Sequence, residues 1–478
     1  MAELTIHERI FEERRAALPE AKMAKTFRQY YRGRHRSTQT RAQAQILRGV
    51  LANLFCDNIC RKVINETASR HELLSFEAEN EGVEAYLADL FTRNAVGDLQ
   101  ADAAVATLRD GNHAVSLEWH APNPDRPTDG RVIVHRERVW DGESGVFAAF
   151  GRDGQPEYAV RDWKERGDQG EIERRVVWFP DRIERYVKHG DGWRPYPLPD
   201  DPAGTNGVVP WVKSDGSPLH VPIVWMANGS DDDTAYGASE LDGGVLGLQD
   251  EINDIQRDIT ATARLTGYQM YWATGSPPQV DTLGNVVPLA VGPGQTLQTG
   301  EPNARFGVLP AGDLTQLKAA RMVKLEAIGQ MTDTPIHDII GQWPSGSALI
   351  RADMPKIAKV NRLNKMLAPQ WASVAHKATE LANAFGPGPP LDESALITAV
   401  FAAPEKLDPL AVAEVRKAEA EAQAAIELLQ DEESLIAMGI PEDEARRRLA
   451  RRSAAAERLD ARLTGFPVET VAVTQGAE

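Results

Sequence analysis

Ser239–Ile259 reads SELDGGVLGLQDEINDIQRDI, and the architecture turns on how this stretch folds. Its apolar residues are Leu241, Val245, Leu248, Ile252, Ile255 and Ile259, spaced alternately by four and three. That spacing predicts one narrow apolar stripe along a helix of about 238–266. The other faces carry Asp242, Asp250, Glu251, Asp254, Gln256 and Asp258. Gly237, Gly243, Gly244 and Gly247 lead in. Glycines inside a helix cost about 1 kcal/mol each against alanine. Either the helix starts later, near Leu246, or close packing demands small residues there.

Outward from this helix the texture changes on both sides. Residues 268–312 are rich in Gly and Pro, with short strand candidates YQMYWAT, NVVPLAV, TLQTG and RFGVL. A second helix is predicted over 313–331 with Asp313 as its N-cap. TDTPIHDIIGQWPSGS follows as a loop, then a long helix over 347–384, bent at Pro355 and Pro369 and broken by FGPGPP. The tail is charged and Ala-rich, with helices expected near 409–430 and 442–463 and a disordered last dozen residues. Upstream, VPIVWMAN (221–228) reads as a buried strand. Residues 112–196 read as about six short strands, with HGDGW (189–193) as a hairpin turn. The N-terminal part is helical: 3–32, kinked or broken at Pro19 and capped by Gly33; 43–70; and a group over 83–110 interrupted near Arg93–Asn94. No internal repeat is visible. Helices, then strands, then helix–insert–helix, then helices make an α+β chain.

Composition narrows the function. The 478 residues are 42% hydrophobic and 26% charged, ordinary for a globular protein. No apolar run approaches the roughly 18 residues of a membrane span, and no partner membrane is expected. The start, MAELTIHERIFEERR, lacks the apolar core of a secretory signal, so the chain is expected inside the cell when made. Seventy acidic against 53 basic side chains give a formal charge of −17, which disfavours a tight grip on nucleic acid. It leaves room for a protein that lets DNA pass without sticking. Cys56 and Cys60 share a helix face, but no further ligands stand near them; they read as small core residues in a reduced compartment.

Catalytic motifs are lacking. There is no phosphate-cradling G-x-x-x-x-G-K-[ST], no G-x-S-x-G and no H-E-x-x-H. SDDDT (230–234) could hold a cation but lacks the spaced ligands of an EF-hand. His113 and His135 could share a β surface. ARRRLARRSAAAERLDAR (445–462) is the one dense basic segment, read as a solvated helix before a DNA or partner contact. No catalytic residue, metal ligand or cofactor is assigned.

Taken in order, FRQYYRG (27–33), NLFCDNICRKVINETAS (53–69), AVATLRDGNHAVSLEW (104–119), VPIVWMANGSDDDTAYGASELDGGVLGLQDEIND (221–254) and GQWPSGSALIRADMP (341–355) resemble the portal, or head-to-tail connector, proteins of tailed bacteriophages, of the Gram-positive-phage portal type. The likeness is collinear over about 27–385. It implies a portal fold: a wing over 1–225, first stem helix 226–267, clip 268–312, second stem helix 313–337, tunnel loop 338–348, a long wing or crown helix 349–389, and a helical crown and tail over 390–478. Leu241, Val245, Leu248, Ile252, Ile255 and Ile259 would pack the stem. Ile339, Ile340, Gly341, Gln342, Trp343, Pro344, Ser345 and Gly346 would form the tunnel loop. Tyr271, Trp272, Val286, Val287, Leu289 and Phe306 would dock partners at the clip.

The same resemblance implies a virion component without catalysis of its own. It would form a ring, most often of twelve copies, that conducts double-stranded DNA. Its partners would be the terminase large subunit, a head-completion or adaptor protein, and the major capsid or scaffold protein. Twelve copies would carry roughly −200 charges, so an acidic bore would repel phosphates; Lys318, Lys324, Arg351 and Lys356 are cations that could modulate this. The competing readings are another head-closure or minor capsid protein, and a metal-dependent nuclease using the 230–234 acids.

Overall fold

The computed structural model describes residues 4–35, 40–47, 57–121, 130–152, 154–167, 170–196, 206–229, 235–266, 271–275, 282–286, 301–308, 313–341 and 347–404. Outside these lie SDDDT, Gln342–Gly346, Val287, Leu289, Cys56, the strand candidate TLQTG, most of NVVPLAV, and the predicted tail helices. Among the described residues no helix is long and apolar enough to cross a membrane. Helices and mostly antiparallel sheets mix, as an α+β chain requires.

The first helix, α1 (Ile6–Tyr31), begins in a capping box: Thr5 accepts the Glu8 N–H at 3.4 Å, and Glu8 accepts the Thr5 N–H at 2.8 Å. It runs through Pro19 without ending, and Gly33, at φ +65°, turns the chain away behind it. Of the helix expected over 43–70, the described residues hold α2 (Arg41–Leu47) and α3 (Ile59–Ala68), and Asp57 and Asn58 before α3 are not helical. Asn58 Oδ1 accepts the Arg61 N–H at 3.1 Å and starts α3 as its N-cap. After β1 (Leu73–Ala78) come α4 (Glu81–Arg93), capped by Asn80, and α5 (Val96–Asp110). The break between them falls at Asn94–Ala95, as expected.

Seven strands then follow where about six were predicted: β2 (Asn112–His120), β3 (Arg131–Glu137), β4 (Gly145–Phe150), β5 (Pro156–Gly167), β6 (Gly170–Trp178), β7 (Arg182–His189) and β8 (Gly192–Pro195). The predicted hairpin is present, His189 pairing with Gly192 across Gly190 and Asp191. β9 (Val208–Pro210) adds to β7, and β10 (Ile223–Ala227) pairs with β2 to give the order β10-β2-β3. His113 and His135 do not share a surface. His135 lies opposite Ser116, three residues from His113 on β2, so the pleat turns the two rings to opposite faces.

Next come α6 (Val245–Thr266), β11 (Tyr271–Thr274), β12 (Arg305–Val308), α7 (Thr315–Met331), α8 (Ile336–Ile340), α9 (Ser347–Phe385) and β13 (Ile397–Phe401). The helix predicted from Asp313 starts at Thr315 with Leu314, not Asp313, at the N-cap position; Asp313 lies one residue further out, where its Oδ1 accepts the Thr315 N–H at 2.8 Å. α8 replaces part of a predicted loop. α9 stays one helix through Pro355 and Pro369. β13 lies where a helical crown was expected to start. It pairs antiparallel with β1, Ala78 opposite Ile397, burying Ile397 and Ala399 while Thr398 faces out.

The largest core gathers α3, α4, α5, β1, one face of β2 and β3, and α9. Trp371, Val374 and Ala378 of α9 are fully buried in it. A second core lies between α1 and the large sheet, Ile10 against Phe147, Tyr158, Val160 and Val177. Beside it, Asp162 holds Arg14 and, at 2.8 and 2.9 Å, Arg175. Burial opposes ionisation of Asp162, yet the two guanidiniums leave its pKa below the usual carboxylate value.

His113 generates a prediction. It is buried beside the core, and burial pushes its pKa down to about 4 from 6.5. The unfolded chain therefore binds a proton between those values that the folded chain refuses, so stability is complete above pH 6.5 and falls as pH drops towards 4. At about 1.4 kcal/mol per unit this is roughly 3 kcal/mol. Urea unfolding from pH 7 to 4.5 should show a shallower loss of stability in His113→Gln than in the parent; parallel curves would refute the assignment.

Candidate functional site

The α6–α7 pair is built from its lead-in. Gly243 and Gly244 sit at φ +66° and +100°, outside the helix, so α6 starts at Val245 rather than near 238. This removes the helix-interior cost for both, since the left-handed region suits glycine. Upstream, Gly237 lies so close to Asn228 and Gly111 that a Cβ would meet Asn228 N at 2.2 Å and Gly111 O at 2.5 Å. Asn112 Oδ1 accepts the Gly237 N–H at 2.8 Å, and Asn112 Nδ2 donates to Gly237 O at 3.0 Å. Ser239 Oγ donates to Arg109 O at 2.6 Å and accepts the Leu241 N–H at 3.0 Å. The Gly-x-Ser-x-Leu element is thus a clasp, fixing the entry of α6 to the junction of α5 and β2.

The apolar stripe is largely consumed inside the chain. Leu241 and Ile252 are fully buried, Val245 nearly so, and Leu248 packs against the main core. Ile255 and Ile259 are half-buried. Beside the stripe runs a buried polar one, which sequence reading missed: Gln249, Asn253 and Arg257. Gln249 Oε1 accepts the first amides of α3, Ile59 N–H at 3.0 Å and Cys60 N–H at 3.2 Å, and its Nε2 donates to Asp57 O at 2.6 Å. Asn253 Oδ1 accepts the Asp57 N–H at 2.9 Å, and its Nδ2 donates to His35 Nε2 at 2.7 Å. A ring nitrogen that accepts must be unprotonated; burial lowers the His35 pKa in the same sense. The clue in sequence was two amide side chains at i, i+4 flanking Leu248 and Ile252.

The acids of α6 are also engaged. Asp250 accepts from the Tyr30 hydroxyl at 2.7 Å, Glu251 pairs with Lys324 at 2.5 Å, Asp254 with Arg257, and Asp258 accepts from Gln43 at 2.7 Å. The Met331 methyl approaches Gly244 while Glu251 meets Lys324, so α6 and α7 run antiparallel. Arg321 reaches Asp57 at 2.6 Å. Lys356, expected among cations able to face DNA, is 1% exposed and ion-paired inside the chain; Lys318 and Arg351 are exposed.

The remaining predicted residues fall in two places. Ile339 and Ile340 belong to α8 and pack on the main core, and Gly341, at φ +73°, ends that helix. Tyr271 and Trp272 lie in β11 and Phe306 in β12, Phe306 opposite Ala273. The Trp272 ring lies over Gly307, where a Cβ would come within 2.5 Å of it. Val286 is exposed.

No family model matches the chain, and no curated protein matches it. Among solved structures it is similar to one described as "Neck of native GTA particle computed with C12 symmetry", at 14% identity and a TM-score of 0.42, over 85% of this chain and 96% of that one.

Two substitutions probe the clasps. Gln249→Ala strands two buried N–H groups and a carbonyl, and should cost about 2–4 kcal/mol in urea unfolding while accelerating hydrogen exchange at Ile59 and Cys60. Gly237→Ala should cost about 1–3 kcal/mol by forcing Asn228 and Gly111 apart. Parent-like unfolding midpoints would remove the clasp from the account.

Proposed function

We propose that this chain is a portal subunit of a tailed-phage-type particle. Copies form a ring that conducts double-stranded DNA, driven by a separate terminase motor, and dock a head-completion protein on one side and capsid or scaffold on the other. The chain itself performs no catalysis in this reading. The observation that carries it is the antiparallel α6–α7 pair bracketing a turn-rich insert, within the collinear motif order of 27–385.

Several features support the same assignment. The base of α6 is locked to α3 by buried amides, which gives a projecting element a rigid root. α7 leaves Val323 60% and Met331 50% exposed, apolar surface that a neighbouring copy would cover. The inter-copy contact is thus assigned to the outer side of α7, and to Ile255 and Ile259, rather than to Leu241, Val245 and Ile252. In the insert, Trp272 is 39% exposed and Val286 67%, suiting a docking role. A charge of −17 per chain lets phosphates slide past rather than bind.

Native mass spectrometry and electron microscopy of the full chain should show closed rings with a central opening. Val323→Asp should reduce ring yield several-fold with an unchanged melting temperature, whereas Ile252→Asp should fail to fold. Removal of 342–346, which leaves α8 intact, should give rings that fail to package DNA. A persistent monomer under associating conditions, or unaltered rings from Val323→Asp, would reject the assembly reading. Full-length packaging by the deletion would reject the tunnel loop.

A further inference from the structure

Beneath the start of α9, three helices bring six ionisable side chains together. α3 supplies Glu66 and the turn behind it Arg70, α8 supplies His337 and Asp338, and α9 supplies Asp353 and Lys356. Asp338 is fully buried, Lys356 is 1% exposed and His337 3%. The two aspartates divide their oxygens in the same way. Asp338 commits Oδ2 to the Lys356 ammonium, and Asp353 commits Oδ2 to the Arg70 guanidinium at 3.2 Å. Their other oxygens converge on one atom: His337 Nε2 lies 3.0 Å from Asp353 Oδ1 and 3.8 Å from Asp338 Oδ1.

Asp338 Oδ1 is the telling atom. It is buried, yet among the described residues it accepts no hydrogen bond. A buried carboxylate oxygen without a donor is disfavoured, and a cation placed against it would satisfy it. Donors about 2.1 Å from a tetrahedral ion stand about 3.4 Å from one another. The 3.0 and 3.8 Å separations bracket that spacing, and His337, Asp338 and Asp353 can each present one ligand atom with all three within 4.8 Å. Lys356 Nζ stands at the edge, 3.8 Å from both Asp353 Oδ1 and Glu66 Oε2.

From this geometry we propose that His337, Asp338 and Asp353 form a binding site for one first-row divalent transition-metal ion. One imidazole and two carboxylates suit Zn²⁺ or Mn²⁺ better than Ca²⁺ or Mg²⁺, which prefer oxygen alone. Lys356 and Arg70 are the outer partners that aim the two carboxylates, as ligating carboxylates generally require. With the imidazole neutral, as a ligand must be, three carboxylates face two cations, and the surplus charge in the cluster is negative. Asp353 is 14% exposed at its side chain and provides the approach for the ion and its completing water. Because α8 and α9 flank residues 341–346, the ion ties both ends of that segment to one point.

The test uses the full-length protein, stripped with chelator and dialysed against micromolar Zn²⁺. Elemental analysis should find about one ion per chain with saturable uptake. X-ray absorption of the loaded protein should show a single imidazole among oxygen ligands. His337→Gln and Asp353→Asn should each weaken binding at least ~10-fold. Failure to take up Zn²⁺, two or more imidazoles per ion, or parent-like affinity in both variants would overturn the site. Should either variant fail to fold by circular dichroism, the ligand count from the unsubstituted protein still decides.

Discussion

The structure depends on two amide side chains. Gln249 and Asn253, one turn apart on α6, accept backbone N–H groups at Asp57, Ile59 and Cys60, where the chain stops being coil and becomes α3. A helix start leaves donors without partners, and burying such an end demands acceptors from elsewhere. Here a distant helix supplies them. α3 then contributes Cys60, Val63 and Ile64 to the main core, so the placement of that core and the placement of α6 are one decision.

The same logic accounts for the polarity of α6. Its acids lie off the apolar stripe, where a helix would ordinarily meet solvent. Asp250, Glu251, Asp254 and Asp258 instead each meet a partner on α1, α7, α6 itself or α2. Exposed pairs of this kind add little stability individually. Their consequence is register: they set how α6 turns relative to its neighbours, while only Glu251 and Asp254 meet a cation and Asp250 and Asp258 keep their charge beside neutral donors.

Much of the architecture was legible in residues 221–266, because period, glycine position and strand composition agree there. The hairpin at Gly190–Asp191 and the break at Asn94–Ala95 were legible for the same reason. Other features were not. Asn58 starts α3 within apolar spacing that runs on, since the acceptors for its first amides lie on α6, far along the chain. β13 is a short segment whose only distinction is its partner β1, and pairing between remote segments leaves no local mark. α8 is too brief for periodicity to register. The His337–Asp338–Asp353 group was invisible because its members draw together only once α8 folds back against α9; the acids noticed in sequence were the contiguous ones at 230–234.

The pairing of β1 with β13 has a consequence for biosynthesis. β1 is made early and β13 late, and α9, whose Trp371 fills the centre of the core, emerges only shortly before β13. At about 5–20 residues per second the N-terminal helices wait tens of seconds on the ribosome with an unpaired strand edge and an open apolar face. Nascent chains therefore cannot associate through a finished surface until nearly the whole described fold has been released. The order of synthesis itself delays completion of the core, and the waiting interval is when a chaperone would be needed most.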